Sequence, residues 1–128
     1  MKKILCLLLL MASIVSCNAQ EKQHVKRASP KEFSQMMAAK KGQVIDVRTT
    51  GEYKSGHLEN ALHLHIYDKD FEQRIDKLDK NEPVYIYCKA GGRSSEAVEI
   101  LHKKGFKEIV ELEGGIDAWQ EAGKPVKQ

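Results

Sequence analysis

Cysteine is scarce in this 128-residue sequence, which has three, an odd number: Cys6, Cys17 and Cys88. So few cysteines exclude a scaffold held together by disulfides, and a chain of this length can bury a hydrophobic core without them. The net charge of +3 is also small, which excludes a protein that binds nucleic acid by neutralising many phosphates. Since 41% of the residues are hydrophobic, wholesale disorder is excluded as well. The composition is that of one globular domain with three cysteines to explain.

The sequence also lacks an apolar run long enough to span a membrane. Residues 4–15 form a run of only twelve apolar or uncharged residues, whereas a membrane-spanning helix needs about 20. Because Lys2 and Lys3 precede it, the run is typical of a secretory signal peptide. The last two residues of the run and the next two, Ile-Val-Ser-Cys at 14–17, resemble a bacterial lipobox. We therefore expect residues 1–16 to be a lipoprotein-type signal peptide, and we expect lipid on Cys17 to anchor the exported protein at the membrane of the periplasm or cell envelope.

Two alternatives remain open for this N-terminus. Cleavage after Ala19 would release a soluble exported protein, and retention of residues 1–16 would leave an apolar helix in place. If the signal peptide is removed and Cys17 carries lipid, Cys88 is the one free thiol of an extracytoplasmic protein. Such compartments favour disulfides, so an unpaired cysteine there calls for a chemical explanation.

After a short polar tether at residues 17–24, strand and helix patterns alternate through a single domain at 25–128. The strand patterns lie at 25–28, 44–48, 61–66, 83–88 and 108–112, and helix patterns begin at 30, 50, 71, 93 and 116. This alternation predicts an α/β fold with a central, parallel, five-stranded sheet and helices on both faces. The nearly continuous apolar run at 83–88 is typical of a buried central strand.

The residues with chemical potential follow that central strand. Residues 88–94 are Cys-Lys-Ala-Gly-Gly-Arg-Ser, and ligands of open α/β sheets bind just beyond the carboxyl ends of the strands. Gly91 and Gly92 allow backbone amides to converge on one point, the next helix adds its own free amides, and Lys89 and Arg93 add positive charge. This environment favours an anion, so we predict that Cys88 is an exposed thiolate nucleophile for an anionic substrate.

Four segments of the chain together resemble the rhodanese family of single-domain sulfurtransferases, over about residues 25–122. They are Asp-Val-Arg at 46–48 with Glu-Tyr at 52–53, Gly-His-Leu-Glu-Asn-Ala at 56–61, the segment 88–94, and Gly-Gly-Ile-Asp-Ala-Trp at 114–119. Each segment is weak evidence alone, but all four in order are specific.

The resemblance implies sulfur transfer without a cofactor. Cys88 would take the outer sulfur of a small anionic donor such as thiosulfate and hold it as a persulfide, which a thiol or cyanide would then remove. The substrate-binding residues would be Lys89, Ala90, Gly91, Gly92 and Arg93, whose amides stabilise the terminal sulfur while the two cationic side chains hold the donor's charge. We expect a monomer with no nucleic-acid partner.

Other functions are less consistent with the residues. Four residues separate Cys88 from Arg93, whereas the related phosphatases and arsenate reductases have five, so the loop favours a sulfur atom over a tetrahedral phosphate. A non-catalytic binding or sulfur-carrier module at the cell envelope is the main alternative, and a buried structural cysteine is another.

For two further groups of residues, the sequence gives weaker evidence of a functional role. Asp46, Arg48 and Glu52 are expected to support the site as an ion-pair network near it. The histidines at 57, 63 and 65 have a spacing that is too common to indicate a metal site, and we expect none.

Overall fold

A computed structural model describes residues 22–128. The predicted signal peptide and Cys17 therefore lie outside the described residues. The described chain contains five strands: β1 (His24–Ala28), β2 (Gln43–Asp46), β3 (Leu62–His63), β4 (Val84–Tyr87) and β5 (Glu108–Leu112). They form one sheet in the order β1-β5-β4-β2-β3, and every pairing is parallel. The predicted five-stranded parallel sheet is confirmed, with β4 at its centre and β1 beginning at His24.

Helices cover both faces of this sheet. They are α1 (Pro30–Ala39), α2 (Thr50–Lys54), α3 (Phe71–Asp76), α4 (Gly92–Lys103) and α5 (Gly115–Glu121). On one face Ile75 of α3 and Leu101 of α4 are completely buried against the sheet. On the other face Phe33 of α1 and Trp119 of α5 pack edge to face, with ring centroids 6.2 Å apart. The predicted two-sided α/β architecture is confirmed. Among these described helices, none is long and apolar enough to cross a membrane.

Strand β4 is buried on both sides because its side chains alternate between the two helical layers. Val84 and Ile86 face the layer formed by α3 and α4, whereas Tyr85 and Tyr87 face the layer formed by α1 and α5. All four residues are at most 1% exposed. This two-sided burial explains the continuous apolar pattern of the sequence and places the segment after Tyr87 at the middle of the sheet's carboxyl edge.

Three strands are shorter than predicted: β4 by one residue at each end, and those predicted at 44–48 and 61–66. The pattern at 44–48 predicts a strand through Arg48, but β2 ends at Asp46, because the Asp46 carboxylate accepts the N–H of Arg48 at 2.9 Å and turns the backbone. The neighbouring pattern at 61–66 yields only Leu62–His63 as strand. Beyond it, Leu64 and Ile66 still donate to the carbonyls of Asp46 and Val47, so the segment follows β2 around the turn.

Candidate active site

Cys88 lies directly after β4, at the carboxyl edge of the sheet and between the ends of β5 and β2. The carbonyl oxygens of Cys88 and Lys89 accept hydrogen bonds from the N–H groups of Ile116 (2.9 Å) and Asp117 (3.1 Å) in α5. This contact requires Gly115, because a Cβ atom there would lie 2.5 Å from the Cys88 carbonyl oxygen. The Gly-Gly pair at 114–115 thus serves the site by bringing α5 against the cysteine loop.

The Cys88 thiol is held by two hydrogen bonds. Its Sγ accepts the N–H of Gly91 at 3.0 Å and donates to Ser94 Oγ at 3.4 Å. The loop can fold back over the sulfur because Gly91 has a φ of +126°, which side chains disfavour. The prediction of an exposed thiolate is wrong in one respect, since Cys88 is only 1% exposed. The reason is that Cys88 continues the alternation of β4 and packs with Ile86 in the cluster beneath α4.

Several backbone amides of the cysteine loop have no acceptor in the described part of the protein. Among the hydrogen bonds of residues 22–128, none takes the N–H groups of Ala90, Gly92 and Arg93 to a protein acceptor. These groups belong to the loop and the first turn of α4 (Gly92–Lys103), where a helix leaves its amides unpaired and its dipole is positive. Unpaired amides at a helix N-terminus are suited to binding an anion, and the Gly91 N–H already donates to the sulfur.

Arg93 is fixed by Glu52 across the mouth of the loop. Its two terminal nitrogens donate to the two carboxylate oxygens at 2.7 and 2.9 Å. Glu52 is itself positioned by Thr49, with which it forms a capping box at the start of α2. The hydrogen bonds from Arg93 lower the pKa of Glu52 from an ordinary value of 4.5 to about 2, against the opposing effect of burial. Glu52 therefore remains a carboxylate, and Arg93 remains oriented, throughout the neutral and mildly acidic range.

Asp46 and Arg48 form a separate, buried pair. The Arg48 guanidinium donates to Asp46 Oδ2 at 2.7 Å and to the Gly56 carbonyl at 2.6 Å. Tyr87 donates to the same Asp46 oxygen at 2.7 Å and accepts the N–H of Leu58 at 3.0 Å. Burial, and then the Asp46 charge, raise the pKa of Tyr87 well above its ordinary range. The predicted network of three residues is thus divided, because Asp46 and Arg48 brace β2 and β4 while Glu52 faces the cysteine loop.

Lys89 lies on the rim of the site. Its Nζ is 2.7 Å from Asp117 Oδ2 of α5, and the two side chains are 60% and 43% exposed. Both cations of the loop, Lys89 and Arg93, therefore have carboxylate partners in this structure. They differ in that the Lys89 pair is open to water, whereas the side chains of the Arg93 pair are 24% and 28% exposed.

A buried carboxylate beneath the loop had no role in the sequence analysis. Glu111 of β5 is 5% exposed, and its Oε2 accepts from the hydroxyls of Ser94 (2.7 Å) and Ser95 (2.9 Å). Its other oxygen accepts from Arg27 Nε of β1 at 3.1 Å. The sequence signal was present, because a glutamate within an apolar strand of a parallel sheet must find donors.

Residues 29–122 match the family model of the rhodanese-like domain. The chain belongs to the rhodanese-like family. Cys88 and its loop, which the resemblance of the sequence singles out, lie within the matched residues, at the carboxyl edge of the sheet described above.

Relatives and solved structures agree with this assignment. The chain is similar to the thiosulfate sulfurtransferase GlpE of Shewanella oneidensis, at 31% identity over 76% of this chain and 94% of that protein. It is also similar to the tRNA uridine(34) hydroxylase of Chlamydia felis, at 33% identity over 84% of this chain, but it spans only 35% of that relative's length. Among solved structures, a rhodanese-related protein from Thermoplasma volcanium matches with a TM-score of 0.71 and 29% identity over 80% of this chain and 97% of that one. Membership in the rhodanese-like family supports a sulfurtransferase or a related enzyme.

The histidines at 57, 63 and 65 all contact other side chains or the backbone, and His57 and His63 both stack on Tyr53. His57 stacks on Tyr53, with ring centroids 3.8 Å apart. His63 Nε2 lies 2.6 Å from the Arg48 carbonyl, and His65 lies 3.3 Å from Asp68. Within the described part of the chain, no group of three or more metal-ligating side chains occurs.

Proposed function

We propose that this protein is a rhodanese-type sulfurtransferase in which Cys88 carries sulfur as a persulfide from a small anionic donor such as thiosulfate to a thiol or cyanide. The observation that carries the proposal is the hydrogen bonding of the cysteine loop. The Gly91 N–H donates to Cys88 Sγ at 3.0 Å, and the neighbouring N–H groups have no protein acceptor among the described residues. The similarity to a thiosulfate sulfurtransferase over 94% of that relative supports the same chemistry.

The reaction consists of two displacements at sulfur. In the first, the Cys88 thiolate attacks the outer sulfur of thiosulfate, an S–S bond forms, and sulfite leaves with the electron pair of the broken bond. In the second, cyanide or a thiolate attacks the outer sulfur of the persulfide, and the Cys88 thiolate leaves. Charge and electrons balance in each step, so no cofactor takes part, and the kinetics are ping-pong.

The two cations of the loop have different roles in this mechanism. The Lys89–Asp117 pair is exposed, and such pairs contribute only about 0–1 kcal/mol, so an incoming anionic donor can compete with Asp117 for the ammonium group. Arg93 is instead held by two hydrogen bonds to Glu52 and keeps the first turn of α4 in place. The engagement of Arg93 also disfavours phosphatase chemistry, which needs a guanidinium free to bind the phosphate.

A thiosulfate–cyanide assay of the full chain tests the proposal. We expect thiocyanate production from the native protein and its loss in Cys88→Ser, and we expect thiosulfate to add one sulfur atom to the Cys88 peptide by mass spectrometry. Cys17→Ser, assayed as the purified protein, is the matched control, because it replaces a cysteine outside the rhodanese-like domain and should retain full activity. Equal activity in Cys88→Ser, or the absence of added sulfur on Cys88, would refute the enzymatic role and favour a binding module.

We also propose that the protein acts at the cell envelope, anchored by lipid on Cys17. The support comes from the lipobox-like residues 14–17 and the preceding apolar run, which lie outside the described residues. In a bacterial host fed a clickable fatty acid, the native chain should be labelled and Cys17→Ser should not. Equal labelling of both proteins would overturn the anchor, and a mature N-terminus at residue 20 would establish cleavage after Ala19 instead.

The tRNA uridine(34) hydroxylases contribute less to the proposal. About two thirds of the length of the Chlamydia felis protein lies outside the match. We therefore take the likeness as a property of the shared domain and propose no tRNA substrate on its account.

A further inference from the structure

Glu111 is a buried carboxylate near Cys88 for which the sulfur-transfer scheme above has no use. It lies in β5, next to the central strand, and its side chain is only 6% exposed. A carboxylate in such a position is costly to bury unless donors surround it. Here three donors do so, Arg27 from β1 and Ser94 and Ser95 from α4. This fold therefore keeps a fixed negative charge directly beneath the cysteine loop.

The charge is connected to the thiol through a single hydroxyl. Ser94 Oγ lies 2.7 Å from Glu111 Oε2, 3.2 Å from the Gly91 carbonyl and 3.4 Å from Cys88 Sγ. The hydroxyl has one proton, and the short contact to a carboxylate is the strongest of the three. Since Ser94 donates to Glu111, it presents a lone pair to Cys88. It can accept from the thiol, but it does not donate to a thiolate.

We propose that Glu111 is a positioning residue that, acting through Ser94, disfavours negative charge on Cys88 Sγ, and that at a pH where the free cysteine is ionised it thereby favours the sulfur-loaded form over the free thiolate. In the persulfide the charge lies on the outer sulfur, one S–S bond or about 2 Å further from the carboxylate. There the free N–H groups of the loop are available to it. The inference rests on the proposed function for the loaded form, but the effect on the free thiol can be measured without any sulfur transfer.

Near the thiol, Glu96 accepts a hydrogen bond from the uncharged hydroxyl of Tyr67. Ion pairs in the same region join Arg93 to Glu52, Lys89 to Asp117, Arg48 to Asp46, and Arg27 to Glu111. Of these pairs, only Arg27–Glu111 is linked to Cys88 through the Ser94 hydroxyl. Its two members have opposite signs, and Arg27, at 59% side-chain exposure, can be replaced with little loss of packing. The pair therefore offers two charge changes that should act on Cys88 in opposite directions.

The test is the pH profile of iodoacetamide alkylation at Cys88, followed by mass spectrometry of its peptide in the full chain. In Glu111→Gln the midpoint should fall by about one pH unit, a roughly tenfold change in thiolate fraction, because a like charge nearby disfavours the charged form by that order. In Arg27→Gln the midpoint should rise, because Glu111 loses its counter-ion. Glu108→Gln, on the same strand but paired with the distant Lys40, is the matched control and should leave the profile unchanged.

A second measurement addresses the loaded form. After equilibration with a fixed ratio of thiosulfate to sulfite, at a pH above the alkylation midpoints of both proteins, Glu111→Gln should retain about threefold less sulfur on Cys88 than the native protein, since the two charge positions differ by about 2 Å in their distance from the carboxylate. Unchanged alkylation midpoints in both charge variants, or midpoints that move in the same direction, would overturn the proposal. If Glu111→Gln does not fold, Arg27→Gln alone decides. A rise in its alkylation midpoint would support the effect of Glu111 on the thiol, and an unchanged midpoint would refute it. If the alkylation midpoints of the two variants move in opposite directions but the native protein transfers no sulfur, the proposed function is refuted and the effect of Glu111 on the thiol stands.

Discussion

Two carboxylate–guanidinium pairs have their carboxylates only six residues apart in sequence, at Asp46 and Glu52, and differ in almost everything except their chemistry. Asp46 and Arg48 lie two residues apart and are buried, with side chains 0% and 5% exposed. Glu52 and Arg93 lie 41 residues apart in sequence, and about a quarter of each side chain is exposed. Both pairs share two or more hydrogen bonds, so geometry alone does not distinguish them.

Burial is what separates their roles. Breaking a buried pair leaves an uncompensated charge in the interior, which is strongly destabilising. Water partly screens the more exposed pair, Glu52 with Arg93, which is called the open pair below. The buried pair also binds the Gly56 carbonyl and the Tyr87 hydroxyl, so it holds the sheet to the following loop. Among the described residues, the side chains of Glu52 and Arg93 form hydrogen bonds only with each other and with Thr49. We therefore assign the first pair to the stability of the fold and the second to the geometry of the site.

The largest expected effect comes from breaking the buried pair. Asp46→Asn should lower the free energy of unfolding by about 3–5 kcal/mol, because the Arg48 charge stays buried without its partner. Urea denaturation followed by circular dichroism measures this change. The matched control is Glu52→Gln, which removes the same charge from the open pair and should cost about 1 kcal/mol or less. Equal losses in the two variants would show that burial does not separate the pairs.

The open pair should instead affect the reaction. In Glu52→Gln we expect kcat/KM for thiosulfate to fall about tenfold, since Arg93 and the first turn of α4 lose their fixed orientation and displaced groups act poorly in catalysis. Glutamine can still cap the helix, so α2 should begin at the same residue. Steady-state kinetics together with the unfolding free energy separate the two effects. If the rate is unchanged while stability falls, the pair is part of the scaffold after all.

Acid should weaken the open pair in a defined range. The pKa of Glu52 falls from about 4.5 to about 2 on folding, so its contribution to stability is present above pH 4.5 and is lost as the pH falls toward 2. The difference in unfolding free energy between the native protein and Glu52→Gln, about 1 kcal/mol at pH 6, should therefore shrink toward zero near pH 2. Urea titrations at several pH values give this difference directly, and a constant difference would contradict the lowered pKa.

The comparison also shows where sequence patterns suffice. The alternation of strand and helix patterns predicted the parallel sheet and placed Cys88 at its carboxyl edge, because local periodicity and βαβ connections determine both. The burial of Cys88 was not predicted, since it depends on how the first side chain after β4 packs against the helices. The partner of Glu52 was also missed. Asp46, Arg48 and Glu52 are close in sequence, but only the folded chain shows that Arg93 lies nearer to Glu52 than Arg48 does.

The smallest expected effect concerns the exposed pair on the rim. Lys89→Gln should change the free energy of unfolding by less than about 0.5 kcal/mol, because its pair with Asp117 is open to water. If Lys89 holds the donor's charge, the KM for thiosulfate should rise several-fold while kcat is nearly unchanged. Salt should reduce the difference between the variant and the native protein, because it screens an exposed charge. Asp117→Asn provides the opposite change, since it frees the ammonium group and should lower KM. Equal KM values in all three proteins would leave anion binding to the loop amides alone, with Arg93 acting only through its pair with Glu52.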